Sequence, residues 1–246
     1  MQKSRLAARA QGPGKNIAYG LPDTKIRFPN RAGIANSALA ATNPDSAMKM
    51  VFDRVSSGLG LVALAPFMLA IAAVIWVRDP GPILFAHQRI GKYGRSFRCL
   101  KFRTMKVDAD AILAQHLAED PEAKVEWEAT QKLRDDPRVT PLGATLRRTS
   151  LDELPQLINI LRGEMSVVGP RPIVRNEVAH YGAAFRDYMS VRPGLTGLWQ
   201  VSGRSDVGYR ERVMLDQQYV RQRSFLGDLG IIFRTVGVVV QGKGSY

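Results

Sequence analysis

Cysteine and histidine are scarce in this chain, and their scarcity disfavours several classes of protein. The 246 residues include one cysteine, Cys99, and three histidines. A single cysteine excludes an internal disulfide and a thiolate metal cluster, and it is typical of a reducing compartment. The histidines His87, His116 and His180 are scattered without the spacing of zinc ligands. The sequence therefore favours neither a zinc enzyme nor a disulfide-stabilised secreted domain.

Acidic residues are few relative to basic ones, and the common nucleotide-binding loops are missing. The chain has 22 Asp and Glu against 35 Lys and Arg, which gives a formal net charge of +13. This surplus indicates an anionic partner, which is nucleic acid, an anionic lipid or a phosphorylated substrate. Neither a G-x-G-x-x-G sequence nor a Walker-type loop occurs, so nucleotide binding by those two routes has no support.

The amino-terminal segment differs in composition from the rest of the chain. Residues 1–47 contain seven Lys or Arg and two Asp among Gly, Pro, Asn and Ala, without sustained periodicity. This composition predicts a disordered basic tail. Its charge would give it a weak attraction to an acidic membrane face.

One long apolar run indicates a membrane segment. Residues 55–77 form an uncharged run of 23 residues with Pro66 at its midpoint. A straight helix of this length would reach roughly 34 Å, enough to cross a bilayer core of about 30 Å. However, an internal proline bends a helix, and both flanks are basic, which favours the cytoplasmic side for each. We predict a re-entrant helix–break–helix over residues 48–80; an ordinary transmembrane anchor is the alternative.

The remaining pattern predicts a mainly α (α+β) catalytic domain over residues 81–246. I-L-F-A-H-Q-R-I and S-F-R-C-L-K-F-R-T-M flank a glycine-containing G-K-Y-G-R, which predicts a β-hairpin. Its alternation places Lys101 and Arg103 on one edge, either facing an anion or solvated. Periodicity predicts helices within residues 107–133 (two, broken before Pro121), 151–162, 176–190 and 206–222. The apolar stretch 225–240 is typical of an interfacial or core-packing helix.

Two adjacent carboxylates lie in a basic setting. Asp152 and Glu153 occur in L-R-R-T-S-L-D-E-L-P-Q-L, just after Arg147 and Arg148. Carboxylates that can hold a divalent metal, beside guanidinium groups that match phosphate oxygens, suit chemistry on a pyrophosphate. The alternative is a capping box, in which Ser150 caps a helix and Glu153 reaches back to it.

A second arginine is held between prolines. In Gly169-Pro170-Arg171-Pro172 each proline restricts the residue before it, so Arg171 is presented from a rigid, extended segment. A preorganised guanidinium loses less entropy when it binds phosphate. The alternative is a structural ion pair with Glu164 or Glu177. In V-R-P-G-L-T-G-L-W-Q-V-S-G-R-S we interpret Trp199 as a core residue.

Several ordered blocks together resemble one family. D-R-V-S-S-G-L, D-P-G-P-I-L-F, K-F-R-T-M, L-R-R-T-S-L-D-E-L-P-Q-L, R-G-E-M-S-V-V-G-P-R-P, V-R-P-G-L-T-G-L-W-Q-V-S-G-R and L-D-Q-Q-Y-V resemble the bacterial sugar transferases. These are small monotopic polyprenyl-phosphate sugar-1-phosphate transferases (phosphoglycosyl transferases), and the match is to the exopolysaccharide-production type. The blocks cover residues 48–246.

The resemblance implies an activity and a location. It implies transfer of a hexose-1-phosphate, most simply galactose or glucose, from a UDP-hexose to undecaprenyl phosphate with release of UMP. The catalytic domain would face the cytoplasm at the bacterial inner membrane, with membrane lipids and no nucleic acid as partners. The oligomeric state stays open. A non-enzymatic, membrane-anchored scaffold that binds anionic lipid is the alternative function.

The resemblance also implies roles for individual residues. Asp152 would be the nucleophile, would carry the sugar phosphate covalently and would help to hold Mg²⁺, with Glu153 as its catalytic partner. Arg147, Arg171 and Arg204 stand where the family has arginines that contact phosphate and nucleotide, and Lys101 belongs to a matching block. Pro66 would mark the re-entrant break.

Overall fold

The computed structural model describes residues 45–203 and 208–241, and helices dominate it, as predicted. The helices are α1 (Asp45–Arg78), α2 (Ala109–Glu119), α3 (Pro121–Thr130), α4 (Pro141–Arg148), α5 (Gln156–Leu161), α6 (Val178–Tyr181), α7 (Phe185–Met189), α8 (Tyr209–Gln222) and α9 (Phe225–Gln241). The strands are β1 (Leu84–Ile90), β2 (Ser96–Phe102), β3 (Ser166–Val168) and β4 (Gly194–Thr196). The predicted tail, residues 1–47, lies almost wholly outside the described residues.

Helix α1 carries the predicted apolar run and continues without interruption through Pro66, so the break predicted at Pro66 within residues 48–80 is not confirmed. Within the described residues it is the one helix long and apolar enough to cross a membrane, by length and composition. Only 11% of its most apolar window is buried. Most of its exposed apolar side chains from Val51 onwards fall on one side of the helix and so form a stripe: Val51, Val55, Leu59, Val62, Leu69, Trp76 and Val77, with Phe67 and Val74 exposed beside it.

The opposite side of α1 contacts the rest of the molecule at both ends. Lys49 lies 2.6 Å from the Asp228 carboxylate of α9, and Asp53 accepts a hydrogen bond from the Val167 amide at 3.0 Å. The contacts continue through Gly58 and Gly60, which face Leu161 and Leu157 of α5, and resume at Met68, Ile71, Ala72 and Ile75. The helix therefore lies along the catalytic body, except around Pro66.

The predicted hairpin is confirmed. Strands β1 and β2 pair antiparallel, from Leu84 opposite Phe102 to Ile90 opposite Ser96. The free edge of β2 is bonded to α5 through Asn159, which is fully buried. Its Oδ1 accepts from the Leu100 amide at 3.0 Å, and its Nδ2 donates to the Arg98 carbonyl at 2.8 Å. This pair of bonds fixes β2 against the segment that carries the two acids.

The two helices predicted within residues 107–133 are confirmed as α2 and α3, and α8 and α9 lie where helices were predicted. The predictions of one continuous helix over residues 151–162 and another over residues 176–190 were wrong. Residues 151–162 divide into a 3₁₀ turn, Leu151–Glu153, and α5, because Pro155, which lies between them, has no backbone N–H to donate to the preceding turn. Residues 176–190 divide into short pieces at Gly182 (φ 48°), a conformation that glycine tolerates and that ends a helix.

The sequence did not predict the parallel pair of β3 and β4. Ser166 lies opposite Gly194, and Val168 lies opposite Thr196. The backbones approach so closely that a Cβ on Gly194 would lie 2.1 Å from the Gly169 nitrogen. This contact directs the chain into Pro170, and from there to Arg171.

Candidate active site

The two acids lie on a strained turn directly after α4. Ser150 is one of the non-glycine residues with a positive φ, and its side chain makes no capping hydrogen bond. Glu153 does not reach back to it. The capping-box interpretation is therefore wrong, and both acids are directed elsewhere. A left-handed non-glycine residue costs free energy, and such strain tends to occur at functional sites.

Both acids are directed at Lys101 of β2. The Lys101 Nζ lies 2.6 Å from the Glu153 carboxylate and 3.3 Å from the Asp152 carboxylate. Lys101 therefore belongs to the acidic pair, and the solvated-edge alternative does not apply to it. Burial opposes its charge, but the fields of Glu153 and Asp152 outweigh burial and raise the pKa of Lys101 above its usual value.

Asp152 is the more buried of the two acids. Its side chain is 8% exposed, whereas the Glu153 side chain is 31% exposed. Burial raises the pKa of Asp152 above its usual value; Glu153 adds to this, while Lys101 and Arg147 oppose it. A carboxylate with little water around it is a better nucleophile than a fully hydrated one, provided that nearby cations keep it ionised.

Arg147 lies beside the acids without pairing to them. Its Nε donates to the Thr104 hydroxyl at 2.9 Å, and Asp152 and Asp136 both act on its charge. Among the described residues no hydrogen-bond partner is found for its two Nη groups. Arg147 is thus oriented by one nitrogen and presents the other two, which is the arrangement that two phosphate oxygens require.

Arg171 reaches the site from another direction. Its guanidinium lies 5.7 Å from the centre of the Trp199 ring, and its charge acts on Lys101. The alternative, a structural ion pair with Glu164 or Glu177, is wrong, because Glu177 pairs with Arg89 at 3.6 Å and with Arg212 at 3.4 Å, and Glu164 accepts from Asn159. Arg171 therefore makes no ion pair with these acids and remains available to a ligand.

Trp199 is buried, at 8% exposed, as predicted for a core residue. It also has a role that the sequence did not reveal, because two guanidinium groups lie close to its ring. The Arg212 guanidinium lies 4.9 Å from the ring centre, beside the contact made by Arg171. The indole thereby positions the cations of this side of the site.

Sequence reasoning missed the groups that support Arg171. Arg89 donates to the Pro172 carbonyl at 3.1 Å, which holds the proline-flanked segment in place. Asp216, 2% exposed, accepts a hydrogen bond from the Tyr181 hydroxyl at 2.7 Å. Burial raises the pKa of Asp216 to about 7, against the opposing effects of Tyr181 and Arg212. The sequence signal that could have indicated it was the acid of L-D-Q-Q-Y-V, in a helix whose other charged residues are three arginines and Glu211.

The other predicted site residues have separate outcomes. Arg204 lies outside the described residues, and its role stays a prediction. Arg192, the other arginine of the same stretch, donates to the Gly163 carbonyl at 2.8 Å and so has a structural contact. Lys101, Arg147, Asp152, Glu153 and Arg171 are brought together as described above.

The two acids are also the candidate ligands of the predicted Mg²⁺. In the part of the chain that the structure describes, no three His, Cys, Asp or Glu side chains form a group that could hold a metal ion. Mg²⁺ is commonly held by one or two carboxylates together with substrate phosphates and water. Asp152 and Glu153 fit this donor set, and the Lys101 ammonium contacts both.

Comparison with known proteins shows that this chain is an enzyme of the transferase class. The chain belongs to the bacterial sugar transferase family, whose model matches residues 44–242. It is 50% identical to the exopolysaccharide production protein ExoY of Sinorhizobium fredii, over 80% of this chain and 88% of that protein.

Two further relatives carry names of enzymes. The undecaprenyl-phosphate galactose phosphotransferase of Salmonella typhimurium is 46% identical over 81% of this chain, but over only 42% of its own length. The UDP-glucose:undecaprenyl-phosphate glucose-1-phosphate transferase of Xanthomonas campestris is 37% identical over 80% of this chain and 40% of its own length. The match therefore lies within one part of these two longer proteins.

Proposed function

We propose that this protein transfers hexose-1-phosphate from a UDP-hexose to undecaprenyl phosphate, releases UMP, and so primes the synthesis of an exopolysaccharide or related glycan. The names of the relatives support the two substrates. The observation that carries the proposal is the burial of Asp152 among Lys101, Arg147 and the field of Arg171. A nucleophile and phosphate-binding cations are thereby assembled at one place.

In the first step, an Asp152 oxygen attacks the phosphorus nearer the sugar. The bond from this phosphorus to the bridging oxygen breaks, and UMP leaves with that oxygen and its electron pair. The product is an acyl phosphate that joins Asp152 to the hexosyl phosphate. Arg147 and Arg171 stabilise the charge that spreads over the phosphate oxygens, because their guanidinium groups are oriented before substrate binds.

In the second step, a phosphate oxygen of undecaprenyl phosphate attacks the same phosphorus. The acyl phosphate bond breaks, Asp152 regains its carboxylate, and undecaprenyl-diphospho-hexose leaves. The bond between sugar and oxygen is preserved throughout. Lys101 contacts both acids before attack, and its ammonium stays paired with Glu153 while Asp152 is esterified. Glu153 is the proposed catalytic partner, which orients Lys101.

We propose Mg²⁺ as the cofactor, held by Asp152 together with phosphate oxygens of the substrate. When bound, it would neutralise charge on the diphosphate. For the sugar, we propose galactose before glucose, because the relative named for galactose is 46% identical and the one named for glucose is 37% identical.

We propose that α1 enters one leaflet of the bacterial inner membrane and returns, with the catalytic body on the cytoplasmic side. Gly60 and Met68 both contact that body, and only residues 61–67 lie between them. Seven helical residues span about 10 Å, whereas a bilayer core is about 30 Å thick. The exposed apolar stripe of α1 then faces lipid, as does the exposed side of α9, whose Phe225 packs on Phe52 of α1.

Cysteine labelling tests this topology. Met48 and Pro82 are exposed on either side of the apolar run, and burial raises the pKa of Cys99, the native cysteine, to about 11, which keeps it unreactive. We expect a membrane-impermeant maleimide to leave Met48→Cys and Pro82→Cys unlabelled in intact spheroplasts and to label both in inverted vesicles. Labelling of one of the two in spheroplasts would establish a spanning helix instead.

The activity is tested with purified protein, undecaprenyl phosphate, Mg²⁺ and a panel of UDP-sugars. We expect UMP to form, fastest with UDP-galactose. Formation of UDP would mean that the sugar–oxygen bond breaks, and would refute the proposed reaction. No nucleotide release with any sugar would favour the non-enzymatic scaffold.

A further inference from the structure

A cavity of about 420 Å³ lies at the carboxyl-terminal end of α1, between that end, the segment after β2 and the start of α4. Its apolar wall is formed by Ile75, Met105 and Leu142, and its basic side chains are Arg78, Arg103 and Lys106. The volume is within the range of small-molecule sites, about 300–1,000 Å³. An apolar wall with a basic rim suits an amphiphile with an anionic head.

Arg103 provides an independent sign of a ligand. Its side chain is only 10% exposed. One terminal nitrogen, Nη2, donates to the Asp79 carbonyl and lies 3.3 Å from the Asp79 carboxylate. The other, Nη1, is buried without a hydrogen-bond partner in the described residues. A buried cationic donor without a partner is costly, and an anionic oxygen in the cavity would satisfy it.

The cavity is connected to the acids by a short, rigid path. Thr104, the neighbour of Arg103, accepts the hydrogen bond that orients Arg147, and its carbonyl accepts from the Thr140 amide at the start of α4. Helix α4 is eight residues long, about 12 Å, and ends at Arg147 and Arg148, just before the acids. A ligand whose head lies near Arg147 can therefore have its adjoining segment in the cavity.

The cavity also opens towards the proposed membrane surface. Trp76 and Val77, next to the lining residue Ile75, are 58% and 71% exposed. An exposed tryptophan at the end of an apolar helix is typical of the boundary between lipid and water. A long apolar chain that leaves the cavity along α1 would therefore pass directly into lipid. The second cationic group, Arg171 with Trp199, approaches the acids from a different part of the fold.

We propose that this cavity is the acceptor subsite: it holds the head-proximal isoprene units of the polyprenyl phosphate, whose phosphate lies between the guanidinium groups of Arg103 and Arg147 and within the field of Lys106. The inference rests on the proposed function and assigns one substrate to one side of the site. The nucleotide sugar then occupies the side of Arg171 and Trp199. The two half-reactions consequently depend on different residues.

The two half-reactions can be measured separately. Exchange of labelled UMP into UDP-hexose needs no acceptor and reports the first step, while full turnover reports both. We expect Lys106→Met and Met105→Trp each to raise the KM for undecaprenyl phosphate about tenfold. Lys106→Met removes one charged contact, and Met105→Trp fills the apolar space of the cavity. Neither should change the exchange rate. Lys124→Met, an exposed lysine of α3 that does not line the cavity, is the matched control.

Each outcome decides the proposal. An equal loss of exchange and turnover in the cavity variants would overturn it, as would an unchanged KM for the acceptor. An effect of Lys106→Met without one of Met105→Trp would mean that the site attracts free phosphate and holds no isoprenoid. Arg103→Lys keeps the charge at the Asp79 contact and should show a smaller rise in KM. If the wild-type protein performs no UMP exchange, the proposed function itself is refuted, because exchange does not involve the acceptor subsite.

Discussion

Replacing Asp152 with asparagine is expected to lower turnover at least about 10⁴-fold, the scale seen when a covalent nucleophile is removed. An amide oxygen at this position keeps the size of the side chain but cannot form the acyl phosphate. The exchange of UMP into UDP-hexose should be lost together with turnover, because both depend on the first step. Glu153→Gln should lower both less severely, since the nucleophile remains.

The thermal stability of Asp152→Asn is the control that separates loss of the nucleophile from loss of the fold. Burial raises the pKa of Asp152, so the folded state binds this proton more tightly than the unfolded state does. The stabilisation that results is fully present below the unfolded pKa of about 3.9 and is lost as the pH rises through the folded pKa. The wild-type protein therefore carries a cost at neutral pH that asparagine removes.

We expect Asp152→Asn to have a higher Tm than the wild-type protein at pH 7.5, and the difference to shrink in acid. An inactive variant with a raised Tm cannot owe its inactivity to unfolding. Substantial turnover by this variant would move the nucleophile to another residue. A lowered Tm at neutral pH would contradict the electrostatic description of the site.

Replacing Gly194 with alanine is expected to destabilise the catalytic domain by about 3 kcal/mol or more. The new Cβ would lie 2.1 Å from the Gly169 nitrogen and 2.4 Å from the Thr196 oxygen. These are backbone atoms, which cannot turn aside as a flexible side chain can. The β3–β4 pair must separate, and with it the segment that presents Arg171.

Gly230→Ala is the matched control for this substitution. Gly230 lies in α9, and a Cβ built there meets nothing within 4 Å. Alanine should therefore stabilise the helix by about 0.5–1 kcal/mol. Thermal unfolding of both variants in detergent measures the contrast. Equal stability of Gly194→Ala and the wild-type protein would show that the close approach of β3 and β4 is not needed.

The sequence predicted local structure correctly wherever a sequence pattern determines it. The alternation of the hairpin, the break before Pro121 and the length of the apolar run each follow from period or from proline, and the structure has all three. Asp152, Glu153 and Lys101 could also be grouped in advance as chemistry-bearing residues. The distances between them could not be predicted. Lys101 is brought to the acids because Asn159 of α5 is bonded to β2, and no sequence periodicity indicates that contact.

The wrong predictions have different physical origins. The helix predicted over residues 151–162 is divided at Pro155, which has no backbone N–H to continue the preceding turn. The parallel pair of β3 and β4 consists of three-residue strands, too short for an alternation signal. The alternative for Arg171, an ion pair with Glu164 or Glu177, is wrong because long-range packing brings Asn159 to the first acid and Arg89 and Arg212 to the second.

The covalent intermediate is the centre of this account, and one measurement tests it most directly. The protein is incubated with UDP-hexose and Mg²⁺ without undecaprenyl phosphate, quenched, digested and examined by mass spectrometry. We expect the mass of a hexosyl phosphate on the peptide that contains Asp152, and its disappearance when undecaprenyl phosphate is added. An unmodified peptide from a preparation that releases UMP at full rate on adding acceptor would contradict the account.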